Sequence, residues 1–391
     1  MPWKETCVTD ERVQFIVACQ SSAETMTEVC LRFGISRRIG YKWLERYSTE
    51  HLDGLKDRSR APQVHPNATA DDIEDCIVAF RLDRLRWGPK KIIHRLSELY
   101  PERAWPAVST AGDILKRYGL VLPRRRRRRT PPCTHPFADC PCPNAIWCAD
   151  LKGWFLTGDR RRCDPFTLSD AFSRFLLRCQ VVPHPNRHWI QGICDAAFRE
   201  YGLPHAIRTD NGPPFATPAL GGLSQLAIHW IKLGITPERI DPGHPEQNGR
   251  HERMHLTLQD HTTSPPAANA RRQQHVFNQF REEYNYERPH ESLSQRTPGS
   301  VYTCSPRPFP RRIPAITYPD GYTARRVRHN GQIKWQGQLI YLSQMLAGEP
   351  VGLHQRDEEN WQIRFGPVEL ATWNQRRQKL ERPSRQRVTK R

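Results

Sequence analysis

The sequence predicts a multidomain protein. All-α helix-turn-helix units stand at the N-terminus, an α/β core with a mixed sheet in the middle, and a small all-β barrel at the C-terminus. Three observations carry this. Apolar residues recur at helical spacing around a turn glycine between residues 9 and 60. Strand-like and helix-like runs alternate between residues 146 and 260. Short alternating stretches crowd together from Tyr322 to Trp373. At 391 residues the chain is also too long for one ordinary domain.

In the first unit, Val13, Ile16 and Val17 fall at helical spacing, and Thr27 to Phe33 makes a second short helix. Gly34 is suited to the positive φ of a tight inter-helix turn. Ser36 is a good N-cap for a third helix running to about Tyr47. In that helix Ile39, Trp43 and Leu44 are expected inside. Arg37, Arg38, Tyr41, Lys42 and Arg46 face out, the mix expected of a recognition helix in a major groove.

A second unit follows. Ala70 to Leu85 carries Ile73, Ile77 and Phe80 inward, and Pro89 opens a helix running to Tyr100. Ser109 is expected to cap a last helix ending at Tyr118-Gly119. The six arginines Arg124, Arg125, Arg126, Arg127, Arg128 and Arg129 cannot pack as a core, and read as a solvated linker that lies along phosphates when DNA is present.

The core reads as strands at Ile146–Leu156, Phe166–Ser169 and Phe175–Val182, then a helix from His188 to Tyr201 and a strand at Ala206–Arg208 ending in Asp210. A helix at Leu220–Ala227, a strand at His229–Leu233 and a helix at Asn248–Asp260 complete it. Asn269 to Tyr286 is a long amphipathic helix. The boundaries that follow are 1–60, 67–122, a basic linker 123–142, the core 143–300, a Pro-rich linker 301–321, the barrel 322–375 and a basic tail 376–391.

Lys and Arg number 60 against 41 acids, a net charge of +19. A clustered excess of that size predicts a polyanionic partner, here double-stranded DNA. No run approaches the roughly 18 apolar residues of a membrane span, and no secretory leader is evident, so a cytoplasmic, nucleoid-associated protein is expected. The 12 cysteines are then expected to be reduced. Cys133, His135, Cys140 and Cys142 crowd together without the paired spacing of a structural zinc site.

Two aspartates and a glutamate on separate elements of a basic chain point to metal-assisted phosphoryl transfer. Hard carboxylate oxygens suit Mg²⁺, and paired ions neutralise charge and activate an attacking oxygen. Asp150 sits in the first strand and Asp210 at the end of the fourth. Two glutamates compete for the third place, Glu246 with 35 residues between it and Asp210, and Glu252 with 41. Spacing does not decide between them. Placement favours Glu252, inside the first helical turn after Gly249, over Glu246 in a Pro-containing loop.

The motifs Trp147-x-x-Asp150, Thr209-Asp210-Asn211-Gly212-x-x-Phe215, His244-Pro245-x-Gln247-Asn248-Gly249-x-x-Glu252-x-Met254 and Tyr284-Asn285-x-x-Arg288-Pro289-His290-x-Ser292-Leu293 resemble the integrase core of bacterial insertion-sequence transposases and retroviral integrases. These are DDE enzymes with a ribonuclease-H-like fold. The resemblance implies Asp150, Asp210 and Glu252 as catalytic residues and ligands of two Mg²⁺, with Mn²⁺ as substitute. It implies a transposase that binds terminal inverted repeats, cleaves the 3′ ends and joins them to target DNA, working as at least a dimer. Leu256 and Gln259 stand where retroviral relatives carry DNA-contacting lysines, and Arg250, Arg253 and His255 are expected to take over that role. The zinc-binding N-terminal module of retroviral integrases is not matched. A catalytically silent DNA-binding regulator and a metal nuclease without a joining step remain alternatives.

Overall fold

The computed structural model describes residues 7–21, 24–59, 68–121, 140–240 and 249–382. The arginine run Arg124–Arg129, Cys133, His135, Glu246, the side chain of Arg250 and most of the basic tail lie outside them. The chain forms two compact units, residues 1–70 and 71–391.

The first unit packs α1 (Val8–Gln20), α2 (Met26–Arg32) and α3 (Arg37–Glu50) around Phe15, Ile16, Val29, Cys30 and Leu55. Thr25 and Glu28 form a capping box at α2, and the Ser36 hydroxyl accepts the Ile39 N–H at 3.4 Å to start α3. Gly34, between them, has φ +65°. Ile39, expected inside, is exposed. The reason is Gly40. A Cβ there would stand 2.6 Å from Cys30 Sγ and 3.0 Å from Phe15, so α3 approaches its neighbours through the missing side chain and turns Ile39 outward.

The second unit begins with α4 (Asp71–Asp83), α5 (Pro89–Leu99) and α6 (Val108–Arg117), closed over Ile77, Trp87, Ile92, Leu96, Ala111, Ile114 and Leu115. Gly88 caps α5 and Pro89 occupies its first turn. The N-cap of α6 is Ala107, so Ser109 lies inside that helix rather than before it.

The core sheet runs β4-β3-β1-β5-β6, with short β2 also paired to β3. Strands β1 (Ile146–Leu151), β3 (Arg162–Asp170) and β4 (Leu176–Val182) form an antiparallel meander. β5 (Ala206–Thr209) and β6 (Thr236–Arg239) add on parallel to β1. The long first strand expected at 146–156 is broken, with β2 confined to Phe155–Leu156. Side chains alternate between two faces. Trp147, Ala149, Phe166 and Leu168 meet α7 (Arg187–Tyr201) and α8 (Gln225–Lys232). On the other face, Cys163, Leu176 and Cys179 meet α9 (Gly249–Thr262) and α10 (Ala270–Glu282). This three-layer arrangement is the ribonuclease-H-like fold.

Between Leu220 and Arg239 the expected order is corrected. A short turn at Leu220–Gly222 precedes α8, the segment expected as a strand at His229–Leu233 belongs mostly to that helix, and the strand lies later, at β6.

The C-terminal module is all-β but not a closed barrel. Strands β7 (Thr323–Arg326), β10 (Pro350–Gln355), β11 (Asn360–Phe365), β12 (Val368–Asn374) and β13 (Lys379–Glu381) make one antiparallel sheet. β8 (Gln332–Trp335) and β9 (Gln338–Tyr341) form a separate hairpin. Its core is shared with Leu220, Leu223, Ala227, Ile228 and Ile231. The Pro-rich segment before it is not a free tether. Tyr302 stacks on Phe175 at 4.4 Å, and Arg307 donates to Pro204 O at 2.7 Å and Gly234 O at 2.8 Å. No helix among the described residues is long and apolar enough to cross a membrane.

Candidate active site

Asp150 and Asp210 come at the same end of two neighbouring strands through register. In the parallel pair β1–β5, Ile146 stands beside Ala206, Trp147 beside Ile207 and Cys148 beside Arg208. Continuing that register by two residues sets Asp150 beside Asp210, the first residue beyond β5. The period-two alternation turns Asp150 towards the α9 face, the same face as Thr167, its partner across β3.

Asp210 is half-buried, and burial pushes its carboxyl above the usual range, opposed by the Gly212 N–H donating to Oδ1 at 3.2 Å. Asn211 donates to Ile240 O at 2.8 Å, and Arg208 pairs with Glu238 across β5 and β6 at 2.8 Å. The turn that carries Asp210 is therefore tied to β6 from both sides.

Helix α9 covers the sheet face towards which Asp150 turns. Met254, Leu258 and Thr262 are buried on its inner stripe, and so are His251 and His255. His251 Nε2 meets Thr167 Oγ1 at 2.7 Å and Nδ1 meets Ser169 Oγ at 3.0 Å. His255 Nε2 meets the same Thr167 oxygen at 2.7 Å. Thr167 Oγ1 also donates to Asp150 O at 3.3 Å. A hydroxyl has only one hydrogen, so at least one of the two Nε2 atoms donates to Thr167 Oγ1. His255 Nδ1 lies 3.8 Å from Asp150 Oδ2. Burial holds both rings neutral, His251 pushed down to about 3 and His255 to about 2.

Sequence reasoning missed the two histidines as site residues. His255 was expected to face DNA with Arg250 and Arg253, and its burial corrects that. The signal available was its place with His251 on the stripe of Met254 and Leu258. Ligand atoms of Asp150, His251 and His255 lie within 4.8 Å of one another. Both nitrogens of His251 are already hydrogen-bonded, to Thr167 and Ser169. Carboxylate oxygens such as that of Asp150 suit a hard divalent cation, and a His255 ring held neutral by burial adds no positive charge to repel one.

Glu252 lies in the first turn of α9, exposed, about 60° round the helix from His255. It makes no hydrogen bond or ion pair among the described residues, and the structure does not bring it against either aspartate. Arg253 is exposed beside it. In the first unit Arg37, Arg38, Tyr41 and Lys42 are exposed on α3, and Arg46 is partly covered, 5.0 Å from the Trp43 ring.

Residues 141–245 and 233–298 each match a family described as integrase core domain. Residues 11–63 match a helix-turn-helix domain and 39–115 a homeodomain-like domain. The chain is 29% identical over 248 residues to the 31.7 kDa protein of insertion element IS407 from Burkholderia multivorans, covering 60% of this chain and 84% of that one. It is 31% identical over 163 residues to the 39.2 kDa protein of insertion element IS476 from Xanthomonas euvesicatoria, covering 40% of this chain and 44% of that one. Among solved structures, it is similar to the HTLV-2 integrase catalytic core domain in complex with magnesium, at 16% identity and a TM-score of 0.33, covering 41% of this chain and 98% of that one.

Proposed function

We infer, from this chain's matches to integrase core domains and its similarity to insertion-element proteins, that it is a DNA transposase acting on the ends of its own element. It binds terminal inverted repeats, cleaves the 3′ ends and joins them to target DNA. The observation that supports the reading is the parallel pairing of β1 with β5, whose register, continued by two residues past Cys148 and Arg208, would bring Asp150 level with Asp210.

Asp150, Asp210 and Glu252 would hold two Mg²⁺, or Mn²⁺ in their place. Bound there, the ions neutralise charge gathering on the phosphate and activate the attacking oxygen. The protein's own part is to position the carboxylates. β1 and β5 fix the two aspartates, and the histidines seat the helix that carries Glu252. Arg37, Arg38, Tyr41, Lys42 and Arg46 read the repeat, while Arg124–Arg129, Arg250 and Arg253 hold backbone phosphates. Synapsis of two ends calls for at least a dimer, on the nucleoid in the bacterial cytoplasm.

The test is a joining assay with end duplexes, Mg²⁺ and supercoiled plasmid. Joining is expected to be lost in Asp210→Asn and Glu252→Gln and kept in Glu246→Gln. Joining that survives Asp210→Asn overturns the reading. Loss in Glu246→Gln with retention in Glu252→Gln moves the third ligand.

A further inference from the structure

The second helical unit touches the helix that carries Glu252. Arg86, in the turn between α4 and α5, pairs with Asp260 of α9 at 3.0 Å. Beside it, Trp87 Nε1 donates to Glu283 Oε1 at 3.0 Å. The other oxygen of Glu283 lies 3.9 Å from Nδ1 of His261, the residue that follows Asp260 on α9. Arg84 pairs with Glu287 at 2.6 Å and Lys90 with Glu291 at 2.7 Å, which ties the same corner to the segment after α10.

The apolar cluster inside the helical unit and the one beneath α9 have no residue in common. Trp87 is buried in the first, and the polar contacts above reach from it and its neighbours to α9. They meet α9 on the side away from its seat. His251, bonded to Thr167 and Ser169, marks the side against the sheet. Asp260 stands about 180° round the helix from His251 and about 12 Å along the axis from Glu252. The sheet therefore holds α9 from within, and the helical unit holds its last turn from without. A hydrogen-bonded helix of 14 residues moves as one body, so a grip on its last turn bears on the angle of its first.

We propose that Arg86 and Trp87 are positioning residues for the transfer reaction. Through Asp260, and through Glu283 beside His261, they hold the C-terminal turn of α9, and with it the angle at which its first turn meets β1 and β5. The proposal rests on the transposase reading and deepens it. The second helical unit then serves the chemistry as well as any contact it makes with DNA. Arg86 and Asp260 are both well exposed, so their pair adds little to stability, and its loss shows in joining before it shows in unfolding.

The experiment compares the full wild-type chain with Asp260→Asn and with the charge swap Arg86→Asp plus Asp260→Arg. Four quantities are measured: the joining rate at saturating end duplex, duplex affinity by fluorescence anisotropy, the melting temperature, and hydrogen exchange of the α9 amides. Asp260→Asn is expected to keep the melting temperature and the affinity and to speed exchange in α9. Its joining rate is expected to fall about two- to fivefold, the rate equivalent of one exposed ion pair. The swap is expected to restore both exchange and joining. Trp87→Phe, which keeps a ring and loses the donor, is expected to act in the same direction as Asp260→Asn. Joining and exchange unchanged in Asp260→Asn overturn the proposal, and so does a swap that restores neither. Tighter duplex binding in Asp260→Asn with joining undiminished assigns Arg86 to a phosphate contact and overturns it too. A wild type that joins no ends overturns the transposase reading and the positioning role with it. A wild type that joins, with α9 exchange indifferent to Asp260→Asn, overturns the positioning role alone.

Discussion

His255 Nδ1 lies 3.8 Å from Asp150 Oδ2, while the other nitrogen of the same ring holds the Thr167 hydroxyl at 2.7 Å. One side chain thus couples the helix that bears Glu252 to the strand that bears Asp150. Replacing it with glutamine keeps a donor for Thr167, and replacing it with alanine does not. His255→Ala is expected to lower stability by about 1–3 kcal/mol. His255→Gln is expected to stay near wild-type stability but need more Mg²⁺ for half-maximal joining. Equal Mg²⁺ titrations for wild type and His255→Gln would leave His255 a purely structural residue.

The two buried imidazoles also set an acid limit. Their folded values, about 3 for His251 and about 2 for His255, lie below the usual 6.5. The unfolded chain therefore takes up protons first as pH falls. Stability is full above about 6.5 and is lost progressively below it, by up to about 1.4 kcal/mol per pH unit for each ring. Urea midpoints between pH 7.5 and 4.5 should fall steeply, and more gently in His251→Gln.

Magnesium should stabilise the folded chain. A ligand that binds only the folded state raises the melting temperature. The shift at neutral pH is expected to vanish in Asp210→Asn. It should also shrink as pH falls, because the raised Asp210 carboxyl is protonated earlier than an ordinary one. Differential scanning fluorimetry with and without Mg²⁺ measures both.

Gly40 allows the close approach of α3. Gly40→Val would drive its side chain into Cys30 and Phe15, which stand 2.6 and 3.0 Å from a Cβ. A loss of about 1–3 kcal/mol in the first unit is expected. Specific end binding should weaken with it, while nonspecific joining of pre-cleaved ends is affected less.

Arg307 binds the segment after the core by three carbonyls, Pro204, Gly234 and Leu233. Arg307→Met keeps the length and removes the bonds. It is expected to lower the melting temperature of the second unit and to open residues 303–319 to proteolysis. An unchanged cleavage pattern would count against an anchoring role.

Much of this molecule was legible in its sequence because its patterns are local. The capped α3, the proline opening α5 and the strand ending at Asp210 each announce themselves within a few residues. The errors have physical causes too. α8 has Leu226, Ala227, Ile228, His229, Trp230 and Ile231 all buried, so it lacks the polar stripe by which a helix is recognised. β6, Thr236-Pro237-Glu238-Arg239, lies at the sheet edge, where proline and charge are tolerated and strand patterning fades. His255 reads from sequence as a DNA-facing polar residue because its partner, Thr167, is more than eighty residues away.

α8 belongs to two cores at once. Leu226 and Trp230 belong to the core that supports the aspartates, while Ala227, Ile228 and Ile231 belong to the C-terminal sheet. A change that shifts the helix for one neighbour shifts it for the other. The two modules therefore cannot be shuffled between relatives as interchangeable parts. A chimera must carry α8 with both of its partners, and drift in either must be answered across the same two turns of helix.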